Sequence, residues 1–148
     1  MTEDLKKLNI YNKIIKIRKE FKDSDIKKSG ENTFQKFKYH ELSDIVPVAI
    51  DLCDKYNLYT HINIGTPFQP DFASLLIIDG ESGKKVVYYL KIPSISNDGG
   101  FNGKIQDTGK LETYIRRYLY MLFLDIAIPD EVDASDNRPR KSRKSSRR

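Results

Sequence analysis

The chain has 148 residues, 39% hydrophobic and 32% charged, enough for one domain of ordinary size with a real core. Its formal net charge of +5 is unevenly placed: seven of the 26 Lys and Arg lie in residues 138–148, so residues 1–137 hold 19 against 21 acids and are near −2. Overall charge therefore does not draw the folded body to a polyanion, and only a local basic patch can do so. No apolar run nears the about twenty residues of a membrane-spanning helix. No charged-then-apolar leader with a small-residue cleavage site is found, so secretion is not expected. The single cysteine, Cys53, excludes an internal disulfide and fits a reducing compartment.

Leu5, Leu8, Tyr11, Ile14, Ile15 and Phe21 recur at three- and four-residue steps with lysines and Arg18 between them, which predicts an amphipathic helix over 3–21. Its lysine-rich face is either a solvated surface or a DNA contact. Residues 22–33 are polar, carry a Gly and predict a mobile loop. Phe34, Lys36, Lys38 and His40 then alternate with Gln35, Phe37 and Tyr39, the pattern of a short strand or extended arm. Ser43 is placed to cap a helix with Asp44 in its first turn, and Pro47 sits near the end of that turn, where its missing N–H costs little. Val46, Ala49, Ile50, Cys53 and Tyr56 make the apolar stripe of this helix, which should stop at Asn57.

Strands are predicted over 58–64, 72–78 and 85–92, the last two joined by the hairpin connection Asp79-Gly80-Glu81-Ser82-Gly83. Residues 93–103, with three glycines and two asparagines, predict a flexible loop, and a final helix follows over 106–125. Beyond Pro129 the acids Asp130, Glu131, Asp133 and Asp136 precede the basic residues 138–148, and both stretches are predicted to be disordered. This order predicts an α+β fold over 1–128: a small antiparallel β-sheet of three to four strands with helices packed on one face, followed by a disordered acidic-then-basic C-terminal tail over 129–148.

Several chemistries lack their residues. His40, His61 and Cys53 are too few and too scattered for a zinc site, and no Gly-rich phosphate loop is present. Pro70-Asp71 before a strand is reminiscent of a metal-dependent nuclease, but the residues two before Lys84, Lys85 and Lys91 are Ser82, Gly83 and Tyr89, none a carboxylate. Asp71 reads instead as a turn residue. No catalytic residue, metal or cofactor is expected.

The informative segment runs from Gln106 to Tyr118. On a helix, Leu111, Ile115, Tyr118 and Leu122 share one face, expected to pack on the sheet, while Lys110, Tyr114 and Arg117 share a second with Thr113 beside them. Cations flanking an aromatic suit a single nucleic-acid strand, because the cations neutralise phosphates and the ring stacks on a base. Arg116 stands four residues from Glu112, the spacing of a surface ion pair of little energetic weight.

The same segment resembles the C-terminal motif of the ERF (essential recombination function) family of phage single-strand annealing proteins, Gln-X-X-Gly followed by Thr-Tyr-X-Arg-Arg-Tyr. Gln106, Gly109, Thr113, Tyr114, Arg116, Arg117 and Tyr118 match it without a gap. Upstream, Asn32, Phe34, Lys36, Phe37, Lys38, Tyr39, Asp44 and Ile45 are similar to the family's run before a helix that starts Asp-Ile, and the acidic stretch Asp130–Asp136 is also typical. The resemblance covers roughly residues 5–136. The chain departs from the pattern at Gln35 and His40, and at Lys110, Leu111 and Glu112.

The resemblance implies a non-catalytic protein that binds single-stranded DNA and anneals complementary strands without ATP or metal, as a ring or filament of copies, in the cytoplasm of a phage host. It leaves room for a host single-strand-binding protein as partner. It implies contacts from Lys36, Lys38, Tyr39 and His40 on the arm, Lys104 in the loop, and Lys110, Tyr114, Arg116 and Arg117 on the last helix. Phe37 and Tyr39 either stack on bases or belong to the core. The basic tail reads as a nucleic-acid tether, a solubility tail or, by composition, a localisation signal. Two other functions stay open: a protein that coats or adapts strands without annealing them, and an interaction module that uses the Tyr-rich sheet.

Overall fold

The computed structural model describes residues 7–94 and 100–127. In chain order they form α1 (Ile10–Asp23), β1 (Gly30–Asn32), β2 (Phe37–Tyr39), α2 (Leu42–Tyr56), β3 (Leu58–Ile64), β4 (Phe72–Asp79), β5 (Lys85–Lys91) and α3 (Gly100–Leu124). β3, β4 and β5 make an antiparallel sheet in sequence order, and β1 pairs antiparallel with β2 as a separate hairpin. The fold is therefore α+β, as the order of elements predicts. The expected tail over 129–148 lies outside the described residues.

The two-residue period of β4 sets the layers. Ala73, Leu75, Ile77 and Asp79 are buried and point one way. Register places Thr60 and Val86 beside Ile77, and Ile62 and Tyr88 beside Leu75, so one face of the sheet carries a continuous apolar row. Against that face pack Ile10, Ile14, Ile17 and Phe21 of α1, Ile45, Ala49 and Cys53 of α2, and Ile115, Leu119 and Phe123 of α3, all in one core. Burial pushes the Cys53 thiol up to about 11, so it behaves as a small apolar side chain.

α1 starts at Ile10, where Asn9 accepts the N–H of Asn12, and runs to Asp23; residues 3–6 of the expected helix, Leu5 among them, lie outside the described residues. Its buried row is Ile10, Ile14, Ile17 and Phe21, while Tyr11 and Ile15 are exposed. The expected stripe mixed two neighbouring rows, because Lys13 lies among the buried residues and makes that face look polar. Lys13 is fully buried, its Nζ 2.8 Å from Asp79 Oδ1. The Asp79 carboxylate also accepts the Glu81 N–H at 3.0 Å and the Ser82 hydroxyl at 3.0 Å, so one side chain holds both α1 and the β4–β5 turn. Burial alone would raise the Asp79 pKa, but the bonds from Lys13, Glu81 and Ser82 outweigh it and hold the carboxyl below its usual value.

Three further expectations are corrected. The polar stretch 22–33 contains β1, whose Gly30, Glu31 and Asn32 pair with Tyr39, Lys38 and Phe37. The arm over 34–40 shortens to Phe37–Tyr39, because Asn32 Oδ1 accepts the Gln35 N–H and Lys36 takes a left-handed conformation, closing a turn. The N-cap of α2 is Glu41 and not Ser43. Asp44 reaches back to the Glu41 N–H at 2.9 Å and also accepts the N–H and hydroxyl of Ser29, tying the segment before β1 to the start of α2.

α3 begins at Gly100, inside the segment expected to be a loop, while residues 95–99 lie outside the described residues. Its buried row is Ile115, Leu119 and Phe123, and Leu122 is turned outward. α3 packs against all three strands and both other helices, so its buried arc is wider than a single stripe.

Removing one member of a buried ion pair strands the other, at a cost of about 3–5 kcal/mol. Lys13→Met should therefore lower the unfolding free energy measured by urea at neutral pH by that order, where an exposed lysine would give almost no change. Asp79 stabilises the fold above the ordinary carboxylate pKa of about 4, and this contribution is lost as pH falls through the depressed folded value. In Lys13→Met the Asp79 carboxyl loses a main cause of its depression, so less stability should be lost on acidification and the gap to the wild type should narrow as pH falls, which urea titrations across pH 2–6 would show.

Candidate nucleic-acid interface

Lys110, Thr113, Tyr114 and Arg117 sit at positions i, i+3, i+4 and i+7 of α3 and so share a face. That face looks onto the end of β2 and the first turns of α2. Between them lies an open cleft of about 630 Å³, with Tyr39, Glu41, Leu42, Ser43 and Val46 on one wall and Lys110, Thr113, Tyr114, Arg116 and Arg117 on the other. The hairpin reaches α3 through Tyr39.

The cleft holds a row of planar groups. The Arg117 guanidinium lies 4.8 Å from the Tyr39 ring centre and 5.2 Å from that of Tyr118, and Tyr118 lies 4.4 Å from Tyr114. Each contact is in cation–π or ring-packing range. A Cβ on Gly30 would collide with the Tyr39 ring, so the missing side chain at 30 lets that ring lie over the strand backbone. Arg117 Nε is buried between the Tyr39 and Tyr118 rings without a hydrogen-bond partner among the described residues. Tyr114 is half exposed at the cleft mouth. The Thr113 hydroxyl donates to the Gly109 carbonyl at 3.0 Å.

The cleft has three cations, Lys110, Arg116 and Arg117, against one acid, Glu41. Among the described residues no ion pair joins Glu112 to Arg116, so the spacing that suggests one leaves Arg116 available. Positive potential gathers here although residues 1–137 are near −2.

The structure brings together five residues that the sequence singles out: Tyr39, Lys110, Tyr114, Arg116 and Arg117. The other four lie elsewhere. Lys36 is in the exposed hairpin turn, and Lys38 points to the opposite side of β2 from Tyr39. His40 takes its place near Lys27 and Phe21, with Nδ1 3.2 Å from the Lys27 carbonyl and its ring edge-on to Phe21. The side chain of Lys104 lies outside the described residues. Phe37 is half-buried and tilted against Tyr39 at 6.3 Å.

Sequence reasoning missed the second wall. The sequence reads Ser43 as a helix cap and Val46 as part of an apolar stripe, and nothing in Glu41, Leu42, Ser43 or Val46 by type marks them as a wall of a site. It also missed Arg18, which donates to the Phe123 carbonyl at 2.8 Å and to the Tyr88 hydroxyl at 3.1 Å, capping the end of α3 from α1. Among the described residues no group of three or more His, Cys, Asp or Glu could hold a metal, and no described helix is long and apolar enough to cross a membrane.

Helices packed on one face of an antiparallel sheet, with a cleft between α3, β2 and α2 lined by cations and aromatic rings, define an α+β module. The chain belongs to the ERF superfamily, whose family model matches residues 10–148. No curated protein and no solved structure matches it. Membership supports a role in phage recombination of the strand-annealing type.

Gly109 lies within α3, where glycine costs about 0.5–1 kcal/mol relative to alanine, yet nothing stands within 4 Å of the position its Cβ would take. Packing among the described residues does not require it. Gly109→Ala should therefore raise stability by about that amount in thermal or urea unfolding. If a bound strand approaches the helix backbone here, the same variant should bind an oligonucleotide more weakly. Stability and affinity rising together would place the strand away from Gly109.

Proposed function

We propose that this chain is an ATP-independent single-stranded DNA-binding and strand-annealing protein of homologous recombination, without catalytic residues, whose binding surface is the α3 cleft. The observation that carries the reading is the union, in one open groove, of Lys110, Arg116 and Arg117 with the rings of Tyr39 and Tyr114, and with Tyr118 packed behind Arg117 and Tyr114. The segments that build it are far apart in sequence and meet only through the fold.

The mechanism is physical. Lys110 and Arg116 neutralise backbone phosphates, which releases counterions and weakens the repulsion that a second strand would feel. Arg117, held between Tyr39 and Tyr118, is a preoriented cation that loses little rotamer freedom on binding. Tyr114 at the mouth offers a ring to a base, a contact indifferent to base identity. A strand gripped by its phosphates keeps its pairing edges free for a complement.

One cleft is small and a strand is long. Copies of the chain in a ring or filament would join their clefts into a continuous basic track, which reconciles a near-neutral body with affinity for a polyanion. Residues 1–128 carry this activity, and the seven cations of residues 138–148 add a sequence-independent tether. Lys36, Lys38, His40 and Lys104 are further candidate contacts, made by a strand that continues beyond the cleft. The site of action is the cytoplasm of a phage host, with a host single-strand-binding protein as a candidate partner.

Binding of a labelled oligonucleotide at several salt concentrations tests this placement. Lys110→Ala/Arg116→Ala should weaken binding and reduce the salt slope by about 0.7 per lost phosphate contact. Deleting residues 138–148 should also weaken binding and flatten its salt dependence, yet leave the acceleration of annealing. Loss of all annealing in the deletion, with the double variant behaving like the wild type, would move the active surface to the tail.

A further inference from the structure

The sheet has a second face, and no described helix covers it. Opposite the core row, β3 turns out Tyr59, His61 and Asn63, β4 turns out Phe72, Ser74, Leu76 and Ile78, and β5 turns out Lys85, Val87, Tyr89 and Lys91. Tyr59 is 58% exposed, Tyr89 56% and Phe72 45%, high values for rings on a three-stranded sheet. Tyr59 and His61 project as near-parallel rings, 17° apart in plane, and His61 is steadied by Asn63 at 3.2 Å. Register sets Tyr89 across from Ser74 and Lys91 across from Phe72, so rings lie over the middle and one end of the surface with a lysine at each end of β5.

The charge of this face is one-sided. Lys85 and Lys91 stand at the two ends of β5, about 20 Å apart at the rise of an extended strand. Neither makes an ion pair among the described residues, and none of the outward residues of the three strands is an Asp or Glu. Pairing this face with its copy about a two-fold axis would place four lysines in one interface with no outward carboxylate of the three strands to pair with them. An anionic partner with flat apolar groups meets both features: phosphates for the lysines and bases for the exposed rings.

We propose that the outward face of the β3–β4–β5 sheet is a second binding surface for single-stranded nucleic acid, centred on Tyr59, His61 and Tyr89 and flanked by Lys85 and Lys91. It is separate from the α3 cleft, which lies on the helical side of the sheet, and the proposal does not rest on the cleft reading. A chain with strand-binding surfaces on both sides of its sheet can capture an incoming strand while the cleft is occupied.

The chain contains no tryptophan, so Tyr89→Trp in the full chain places a unique indole on the proposed surface. This variant is titrated with a twenty-nucleotide oligothymidylate, following indole fluorescence and the anisotropy of a labelled copy of the oligonucleotide. The expected result is saturable quenching that persists in the Arg116→Ala/Arg117→Ala background. In the otherwise unsubstituted chain, Tyr59→Ala/Tyr89→Ala should weaken affinity at least about five-fold, the lower end for one lost base–aromatic stack. Anisotropy that reports binding without quenching overturns the proposal. So does quenching that disappears with the cleft substitutions, which makes the signal secondary to the cleft. A concentration-dependent blue shift without oligonucleotide assigns the face to a second copy and overturns it too. No binding by either signal overturns both this surface and the cleft, whereas quenching in a protein indifferent to the cleft substitutions keeps this surface and removes the other. Tyr59 and Tyr89 are exposed, so the double alanine variant should melt like the wild type; if it does not, the tryptophan reporter alone decides.

Discussion

The buried contact between Lys13 and Asp79 is the constraint on which the geometry depends. Two charges taken out of water are tolerated only where partners satisfy them, and Asp79 has three donors: Lys13, the Glu81 N–H and the Ser82 hydroxyl. The pair fixes where α1 crosses the end of the sheet. α1 then positions the other two helices, through Glu20, which accepts from Lys55 and Tyr56 of α2, and through Arg18, which caps the last carbonyls of α3. Because α2 and α3 form the two walls of the cleft, the spacing of the cleft is set from the far side of the molecule.

The hairpin is the second, weaker constraint. β1 and β2 have three residues each, too short to persist alone in water. Both are held at the open end, away from the turn: the bonds from Ser29 to Asp44 secure the start of β1, and Tyr39 at the end of β2 rests against Arg117. Arg117 therefore has two roles that pull in different directions. It is a cation facing a groove, and it joins the hairpin to α3, so a substitution there disturbs a wall as well as a charge. Arg116 and Lys110, which have no such structural contact in this arrangement, report more purely on electrostatics.

Much of the fold was legible in the sequence where local pattern and tertiary demand agree. The β-branched and aromatic runs at 72–78 and 85–92 become β4 and β5 to within a residue, and α2 ends at Asn57 in the left-handed conformation that Asn tolerates well. The failures have physical causes. Lys13 disguised the buried face of α1 because its partner is 66 residues away. β1 has no apolar residue, and its determinant is the absence of a side chain at Gly30 opposite Tyr39. On α3, a helix buried on several sides does not announce its core row by one stripe, so the three-four spacing that includes Leu122 points inward while the side chain itself faces out. The cleft was half legible. The motif residues of α3 share a face by spacing alone, but the opposing wall depends on the capped start of α2, and the separation of His40, Lys36 and Lys38 from the cleft depends on a hairpin that the sequence hides.

The central claim is that the α3 cleft promotes pairing of complementary strands. The most direct measurement is the rate at which two labelled complementary oligonucleotides anneal, without ATP or divalent metal, in the presence of the full chain and of Arg116→Ala/Arg117→Ala, each checked for folding by circular dichroism. Strong acceleration by the full chain, abolished by the double substitution in a protein that remains folded, is the predicted result. A folded full chain that binds single strands yet leaves the annealing rate unchanged would contradict the account and assign the cleft to coating strands instead.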